Sequence, residues 1–509
     1  MDTTLVEALR EALRRETGQP VALVETHISW VLLTQTLALK LKKPVRLPFL
    51  DFGSVQARKH FCDEELRLNR RFAPTLYLDV APVCGTRHAP RIGADGTPID
   101  HVVRMRRFPA SSLLSDLLAT DRLQSAQLDD LARRLAALHA SAQRATPVSD
   151  FGSPEQVVRA VTHVLTALQA QGGDSRLAAL DTWMREQRQA LRMAWIARLH
   201  SGAVRDCHGD LHMANVVLLE GQLVPFDCIE FDPVLRWIDV MSDTAFLTMD
   251  LKAHGRADLA FRFLDTWLQY SGDYPGLQVW RFYEAYRALV RAMTCGLGPR
   301  DQREALQPDY IGCAAQLVQQ AGGGARLMIT HGFSGSGKSS IASQLLCAAG
   351  AVRLRSDVER KRLHGLEPLA RSGDLWLDIY DAQATRRTFE RLQACARDAL
   401  LAGYPVIVDA AFLRSAQRHR FKALATELRV PFTILHCRAD MAELRRRVGM
   451  RDAAGTDASE AGLAVLERQL QSHDPLDAHE RGLSIEVCTQ EFVDIAQIEA
   501  RWRAAAPGR

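Results

Sequence analysis

Two stretches of the chain carry residue types at spacings that suit phosphate chemistry. The first is Gly332-Phe333-Ser334-Gly335-Ser336-Gly337-Lys338-Ser339, which satisfies G-x-x-x-x-G-K-S. An apolar run at 327–330 precedes it and a helix-like run at 340–348 follows it, the strand-to-helix context in which this spacing has physical meaning. Glycines let backbone N–H groups converge on phosphate oxygens without Cβ collisions. The N-terminus of the following helix adds partial positive charge. The phosphate cradle is expected to comprise Gly332, Ser334, Gly335, Ser336, Gly337, Lys338, Ser339 and Ser340. Lys338 would bridge the β- and γ-phosphates of a nucleotide, and Ser339 would ligate Mg²⁺.

Further residues in the same third of the chain fit a phosphoryl-transfer site. Val406-Ile407-Val408-Asp409 reads as an apolar strand ending in an acid, and such an acid can hold Mg²⁺ directly or through water. Asp357 and Arg360 follow the strand-like run at 352–355, and ligands bind at the carboxyl ends of strands in open parallel sheets. Asp357 is a candidate base for an acceptor hydroxyl, and Arg360 a candidate grip for an anionic group. Arg438, Arg445, Arg446, Arg447 and Arg451 precede a loop at 452–457. Arginines on a mobile lid would stabilise the charge of a transferring phosphoryl group, with Arg447 the candidate nucleotide contact.

The second stretch is Val204-Arg205-Asp206-Cys207-His208-Gly209-Asp210-Leu211-His212-Met213-Ala214-Asn215, which contains H-x-D-x-x-x-x-N. At this spacing the aspartate, Asp210, orients and deprotonates an attacking hydroxyl, and the asparagine, Asn215, ligates Mg²⁺. Val224-Pro225-Phe226-Asp227 follows, again an apolar strand ending in an acid, so Asp227 is the candidate second metal carboxylate.

Elements able to position these residues are readable from periodicity. A helix-like run at 5–15 leads to strands at 29–34 and 37–42, a charged helix at 55–71, and strands at 76–82 and 101–108. From residue 111 the pattern is almost wholly helical, broken by a strand-rich patch at 204–231. This predicts a small β-rich lobe followed by a larger helical lobe. Beyond the glycine run at 322–324, strands at 327–330, 352–355, 406–408, 432–437 and 483–487 alternate with helices. Such alternation predicts a parallel sheet with helices on both faces. The expected division is a first domain over 1–321, a glycine-rich linker at 322–325 and a second domain over 326–509.

Bulk composition narrows the class. A chain of 509 residues is too long for one core. Its 47% hydrophobic and 24% charged residues are ordinary for a globular protein. A net charge of +4 gives no support to nucleic-acid or membrane binding. Ten cysteines without a C-x-x-C pair argue against a zinc site or a disulfide framework. There is no signal-peptide pattern and no apolar run of the ~18 residues a membrane span needs, so a cytoplasmic location is expected. Of 64 basic residues only eight are lysines; Lys40, Lys42 and Lys43 lie together and another is Lys338.

These motifs resemble known families. Residues 326–503 resemble small P-loop kinases of the AAA_33 type, which implies ATP as donor and a hydroxyl as acceptor. The stretch around Asp210 resembles the aminoglycoside phosphotransferase-like branch of the protein-kinase fold, where H-G-D-x-H-x-x-N is typical. That resemblance implies that Leu37-Ala38-Leu39-Lys40 stands where the family has V-A-I-K. Lys40 would then grip phosphate, although alternation puts Lys42 on the same face. Glu64 or Glu65 would be the ion-pair partner. Asp239 resembles a family aspartate that buttresses the catalytic loop, and His139 resembles a structural histidine. The segments Glu25-Thr26-His27-Ile28-Ser29-Trp30 and Phe226-Asp227-Cys228-Ile229-Glu230-Phe231 resemble those of bacterial fusions of the two domain types.

The expected fold is therefore a bilobal, α+β protein-kinase-like N-terminal domain joined to an α/β P-loop NTPase domain. The expected activity is transfer of the ATP γ-phosphate to a small-molecule hydroxyl, with ATP and Mg²⁺ as cofactors. Two features depart from the first family. No G-x-G-x-x-G precedes Lys40, and no acidic cluster suits a polycationic aminoglycoside. A non-catalytic, nucleotide-sensing first domain is one alternative, and a polynucleotide-end kinase, not favoured, is another. Nothing in the sequence specifies an oligomeric state.

Overall fold

The computed structural model describes residues 3–47, 50–172, 174–295, 307–321, 323–370, 379–454 and 458–506. Gly322 of the expected linker and residues 455–457 of the expected lid loop lie outside these.

The N-terminal lobe is a six-stranded sheet. Its order is Ala22–Glu25, Ser29–Leu33, Leu37–Lys42, Pro98–Arg106, Tyr77–Thr86 and Ala89–Ile92, and every pairing is antiparallel. The four-residue outer strands Ala22–Glu25 and Ala89–Ile92 were not foreseen. Each has only four residues: the first is mostly exposed, and the second carries Pro90, which argues against a strand when read from sequence. Alternation in Leu37–Lys42 sends Leu39 and Leu41 to one side, where Val6, Leu9 and Leu13 of the helix Thr4–Thr17 cover them. Ala38, Lys40 and Lys42 fall on the other side. The helix Val55–Asn69 packs there, with Arg58, Cys62, Glu65 and Asn69 turned inward.

The helical lobe is organised around Val240–Ala253, which is buried at every position from Val240 to Leu251. A helix sequestered on all sides needs partners for each polar side chain it carries. Two small antiparallel strand pairs follow: Val204–Asp206 with Trp237–Asp239, and, between these in the chain, the hairpin Val216–Leu219 with Gln222–Pro225. They frame the loop that carries Asp210.

The second body is a five-stranded sheet in the order Val352–Arg355, Pro405–Asp409, Arg326–His331, Phe432–Arg438 and Ser484–Cys488. All four pairings are parallel. The central strands read as continuous apolar runs, as expected where helices cover both faces. The two bodies are not separate beads on a glycine tether. The helix Ala257–Ser271 of the first packs on Lys338–Ala349 and Val352–Arg355 of the second. Trp280 meets Tyr404 with ring centroids 5.2 Å apart, and one hydrophobic core runs through both.

Candidate active sites

In the first body the loop at 207–215, between the two strand pairs, is held from behind. The Asp243 carboxylate, fully buried, accepts the N–H of Gly209 at 2.9 Å and that of His208 at 3.1 Å. His139 Nε2 lies 3.1 Å from the same carboxylate, and its Nδ1 accepts from Trp267 Nε1 at 3.2 Å. Burial would raise the Asp243 pKa, but the hydrogen bonds it accepts, that of His139 foremost and that of the Gly209 N–H with it, outweigh burial and bring the group down to about 2. Asp250, two turns on, accepts from Met213 N–H at 2.9 Å. The expected buttress, Asp239, does not touch this loop. It is an ion-pair partner of Arg198 and caps the helix through Met241 N–H; the buttressing aspartate is Asp243. Gly209 has φ +86°, and a Cβ there would sit 2.7 Å from the Leu235 carbonyl, so the tight turn before Asp210 requires glycine.

Asp210 and Asn215 come together as the spacing implies, with Asn215 Nδ2 donating to Asp210 Oδ2 at 2.9 Å. That bond leaves the Asn215 amide oxygen as the donor for a cation. His208 donates from Nε2 to the Phe226 carbonyl at 2.9 Å, and its Nδ1 accepts the Asp210 N–H at 3.3 Å. The histidine thereby ties the Asp210 loop to the strand end that carries Asp227. His212 Nε2 stands 3.4 Å from Asp210 Oδ2, and Arg291 Nη1 lies 3.3 Å from that nitrogen. Burial would raise the Asp210 pKa, but His212 and Arg291 hold it well below the usual carboxylate range.

Asp227 adopts φ +61°, a left-handed conformation that is uncommon for a residue with a Cβ. Its N–H donates to the Tyr77 hydroxyl at 3.1 Å. Lys40 Nζ lies 2.6 Å from Asp227 Oδ1 and 2.8 Å from Glu65 Oε1. Lys42 Nζ lies 2.8 Å from Glu65 Oε2 and also pairs with Glu230. Both lysines thus share Glu65, while Glu64 faces outward to Arg67. Lys42 is wholly buried and Lys40 keeps the more exposed side chain, so Lys40 is the lysine that borders Asp227. Glu230 went unrecognised although its segment was noted. Its only signal was position three residues after Asp227. Asp227 and Asn215 offer hard oxygen donors, which fit a divalent cation.

In the second body the glycine-rich loop joins the strand Arg326–His331 to the helix Lys338–Ala349. Gly335 has φ +83°, and a Cβ there would lie 2.8 Å from the Leu444 carbonyl. Lys338 Nζ donates to the Phe333 carbonyl at 2.7 Å and lies 3.4 Å from Ser336 Oγ. It has no carboxylate partner among the described residues. Burial lowers its pKa, with Asp409 opposing. The Ser339 hydroxyl donates to Asp409 Oδ1 at 3.1 Å. Asp409 Oδ2 is buried without a hydrogen bond, with Arg355 Nε 3.8 Å away. A buried anionic oxygen with no donor, beside a serine hydroxyl, fits a hard divalent cation.

Asp357 and Arg360 stand one turn apart on the helix Ser356–Leu363. Both line a cavity of about 380 Å³ with Ser334, Lys338, Ser339 and Asp409. Arg360 is 7% exposed, donates to the Ile379 carbonyl at 2.9 Å and to Thr385 Oγ1 at 3.2 Å, and leaves Nε without a partner. It has no carboxylate partner among the described residues. Arg451, Arg468 and Gln469 also line the cavity, and Gln469 Oε1 accepts the Ser334 N–H at 2.9 Å. Arg447 does not line it. That side chain lies behind the loop on Glu443, Thr489 and the Gly335 carbonyl. Ser340 is exposed on the first turn of the helix.

Two family models match the chain. Residues 50–283 match the family model described as "Phosphotransferase enzyme family", and residues 327–476 match that described as "AAA domain". Uncharacterized proteins of Mycobacterium tuberculosis and Mycobacterium bovis are each 29% identical over 455 residues, covering 87% of this chain and 89% of theirs. A choline/ethanolamine kinase family protein from Mesorhizobium loti is 13% identical and covers 62% of this chain and 94% of its own, with a TM-score of 0.37. A gluconokinase from Sinorhizobium meliloti is 19% identical and covers 36% of this chain and 90% of its own, with a TM-score of 0.24. The chain joins a domain of the phosphotransferase enzyme family to an AAA-type P-loop domain.

Proposed function

We propose that the protein is a bifunctional ATP-dependent phosphotransferase that transfers the γ-phosphate to a hydroxyl of a small-molecule acceptor. The observation that carries this reading is one cavity lined by an uncompensated lysine, a Ser339–Asp409 pair with an orphaned oxygen, and Asp357 beside Arg360. Lys338 and the loop amides hold the phosphates. Ser339 and Asp409 would hold Mg²⁺, which neutralises phosphate charge. Arg360 grips an anionic group of the acceptor and so orients its hydroxyl. The acceptor oxygen forms a bond to the γ-phosphorus, the bond from that phosphorus to the β,γ-bridging oxygen breaks, and Asp357 takes the hydroxyl proton. ADP leaves. In the first domain Asp210 has the proton-accepting role, Asn215 and Asp227 the metal-holding role, and Lys40 the phosphate-gripping role.

A cavity of about 380 Å³ that ends on Asp357 and Arg360 fits a small acceptor. The basic stretch from Arg438 to Arg447, which could otherwise attract a polynucleotide backbone, is also largely neutralised: Arg445 pairs with Glu467, Arg446 and Arg447 with Glu443, and Arg438 with Glu486. A second reading applies to the first domain alone. Lys40 pairs with Asp227 at 2.6 Å, so the phosphate grip and the metal carboxylate bind each other. This favours a nucleotide-sensing domain that regulates its neighbour.

Calorimetric ATP titration of Lys338→Ala tests the main reading: the P-loop contribution is expected to vanish, and undiminished binding would sink it. Labelled ATP with a metabolite pool then separates the two readings of the first domain. Products lost in Asp210→Asn support catalysis there; an unchanged product set supports sensing.

A further inference from the structure

The helix Ala257–Ser271 belongs to the first body, but its polar side chains reach the metal side of the P-loop site. Asp265 and Gln269 stand one turn apart on it, 6% and 8% exposed, and Gln269 Nε2 donates to Asp265 Oδ2 at 2.7 Å. Opposite them are Arg353 and Arg355, two residues apart and so on one side of the edge strand Val352–Arg355. Arg353 binds Asp265 twice, Nη2 to Oδ2 at 2.6 Å and Nε to Oδ1 at 3.3 Å. Its remaining nitrogen donates to the Ser339 carbonyl at 3.3 Å. Arg355 donates to Gln269 Oε1 at 3.4 Å and approaches Asp409 Oδ2 at 3.8 Å. Ser339 and Asp409 thus each have an arginine at their back, and the first domain orients both arginines.

The arrangement has an electrostatic consequence. A guanidinium beside Asp409 competes with a divalent cation for the same carboxylate. Arg353 is 7% exposed, and a buried cation that loses its counter-charge is strongly destabilised unless it finds another. Asp409 is its diagonal neighbour across the strand pairing, where Arg353 lies opposite Ile407 and Arg355 opposite Asp409. We propose that Asp265 is a positioning residue of the P-loop site: by holding Arg353 in the domain interface it keeps Asp409 available to Mg²⁺, so the first domain completes the metal side of the second. The proposal rests on the reading of residues 332–339 as a nucleotide site.

The test titrates ATP into the full-length protein by calorimetry, with and without Mg²⁺. Subtracting the same titration on Lys338→Ala isolates the P-loop site. Asp265→Asn is expected to leave the metal-free affinity unchanged and to weaken the Mg²⁺-dependent gain about tenfold. Asp265→Asn combined with Arg353→Gln removes the stranded cation and is expected to regain the parent's Mg²⁺ dependence. A merely structural Asp265 would make that double variant no better than the single one. The proposal is overturned if Asp265→Asn weakens both titrations equally, changes neither, or is not relieved by the second substitution. Should Asp265→Asn fail to fold, the double variant decides alone: parent-like Mg²⁺ dependence supports the proposal, and a weakened one overturns it. No difference between parent and Lys338→Ala would instead refute the underlying nucleotide-site reading.

Discussion

Asp243→Asn should be among the most damaging conservative substitutions in the chain. The carboxylate meets three donors: the N–H groups of Gly209 and His208, and His139 Nε2. His139 Nδ1 accepts from Trp267, so the ring proton is on Nε2 and points at Asp243. An asparagine has one oxygen for these three. With that oxygen at Gly209, its NH₂ group faces the His208 N–H and the His139 Nε2–H, donor against donor. A buried donor left unsatisfied costs about 1–3 kcal/mol, so two give about 4 kcal/mol. The acid limb offers an independent measure. The Asp243 pKa lies near 2 in the folded protein against 3.8 for a free aspartate side chain. A depressed carboxylate stabilises above its unfolded pKa, and that stability is lost as pH falls through the folded value. At about 1.4 kcal/mol per unit, the ionised group contributes roughly 2 kcal/mol at neutral pH. Denaturant unfolding followed by tryptophan fluorescence checks both figures, because Trp267 adjoins the network. A loss below about 1 kcal/mol in Asp243→Asn, or an acid limb between pH 4 and 2 identical to that of the parent, would refute this account of the loop.

Two other predictions follow from buried groups. His331 and His436 meet through their Nδ1 atoms at 2.8 Å, and burial, first among the causes, pushes His331 down to about 3 and lowers His436. Depressed histidines stabilise above their unfolded pKa of 6.5, so stability should fall as pH drops below it, by at most about 1.4 kcal/mol per unit for each ring. Unfolding midpoints at pH 7 and 5.5 measure this, and a flat profile contradicts it. At Asp227, φ +61° penalises any Cβ, so Asp227→Gly should be about 1 kcal/mol more stable than Asp227→Ala. Equal melting temperatures for the two variants would show that the conformation carries no strain.

The choice between Glu64 and Glu65 shows where sequence reasoning stops. Neighbours on a helix differ by about 100° in direction, and the inward face here is marked by Arg58, Cys62, Glu65 and Asn69. Their spacing is that of a buried stripe, but polar residue types disguise it. Asp239 and Asp243 pose a similar problem: both lie at the head of one helix, and only the approach of the 208–215 loop shows which meets its amides. Arg447 looked like a lid residue because its neighbours are basic, yet Glu443 one turn away claims it.

What the sequence by itself determined is local. The loop at 332–339, the side shared by Lys40 and Lys42, the distance from Asp210 to Asn215 and the five-strand pattern of the second sheet all depend on residues within a few positions of one another. Backbone sterics and side-chain alternation act at that range and leave a readable spacing. Only the tertiary structure decided that Asp243 serves a loop 34 and 35 residues upstream, and that Asp265 pairs with Arg353 across 88 residues. It also decided that domains joined at a glycine run share one core. Such contacts are set by the summed packing of whole helices and sheets, which imposes no period on the chain and so leaves no pattern in it.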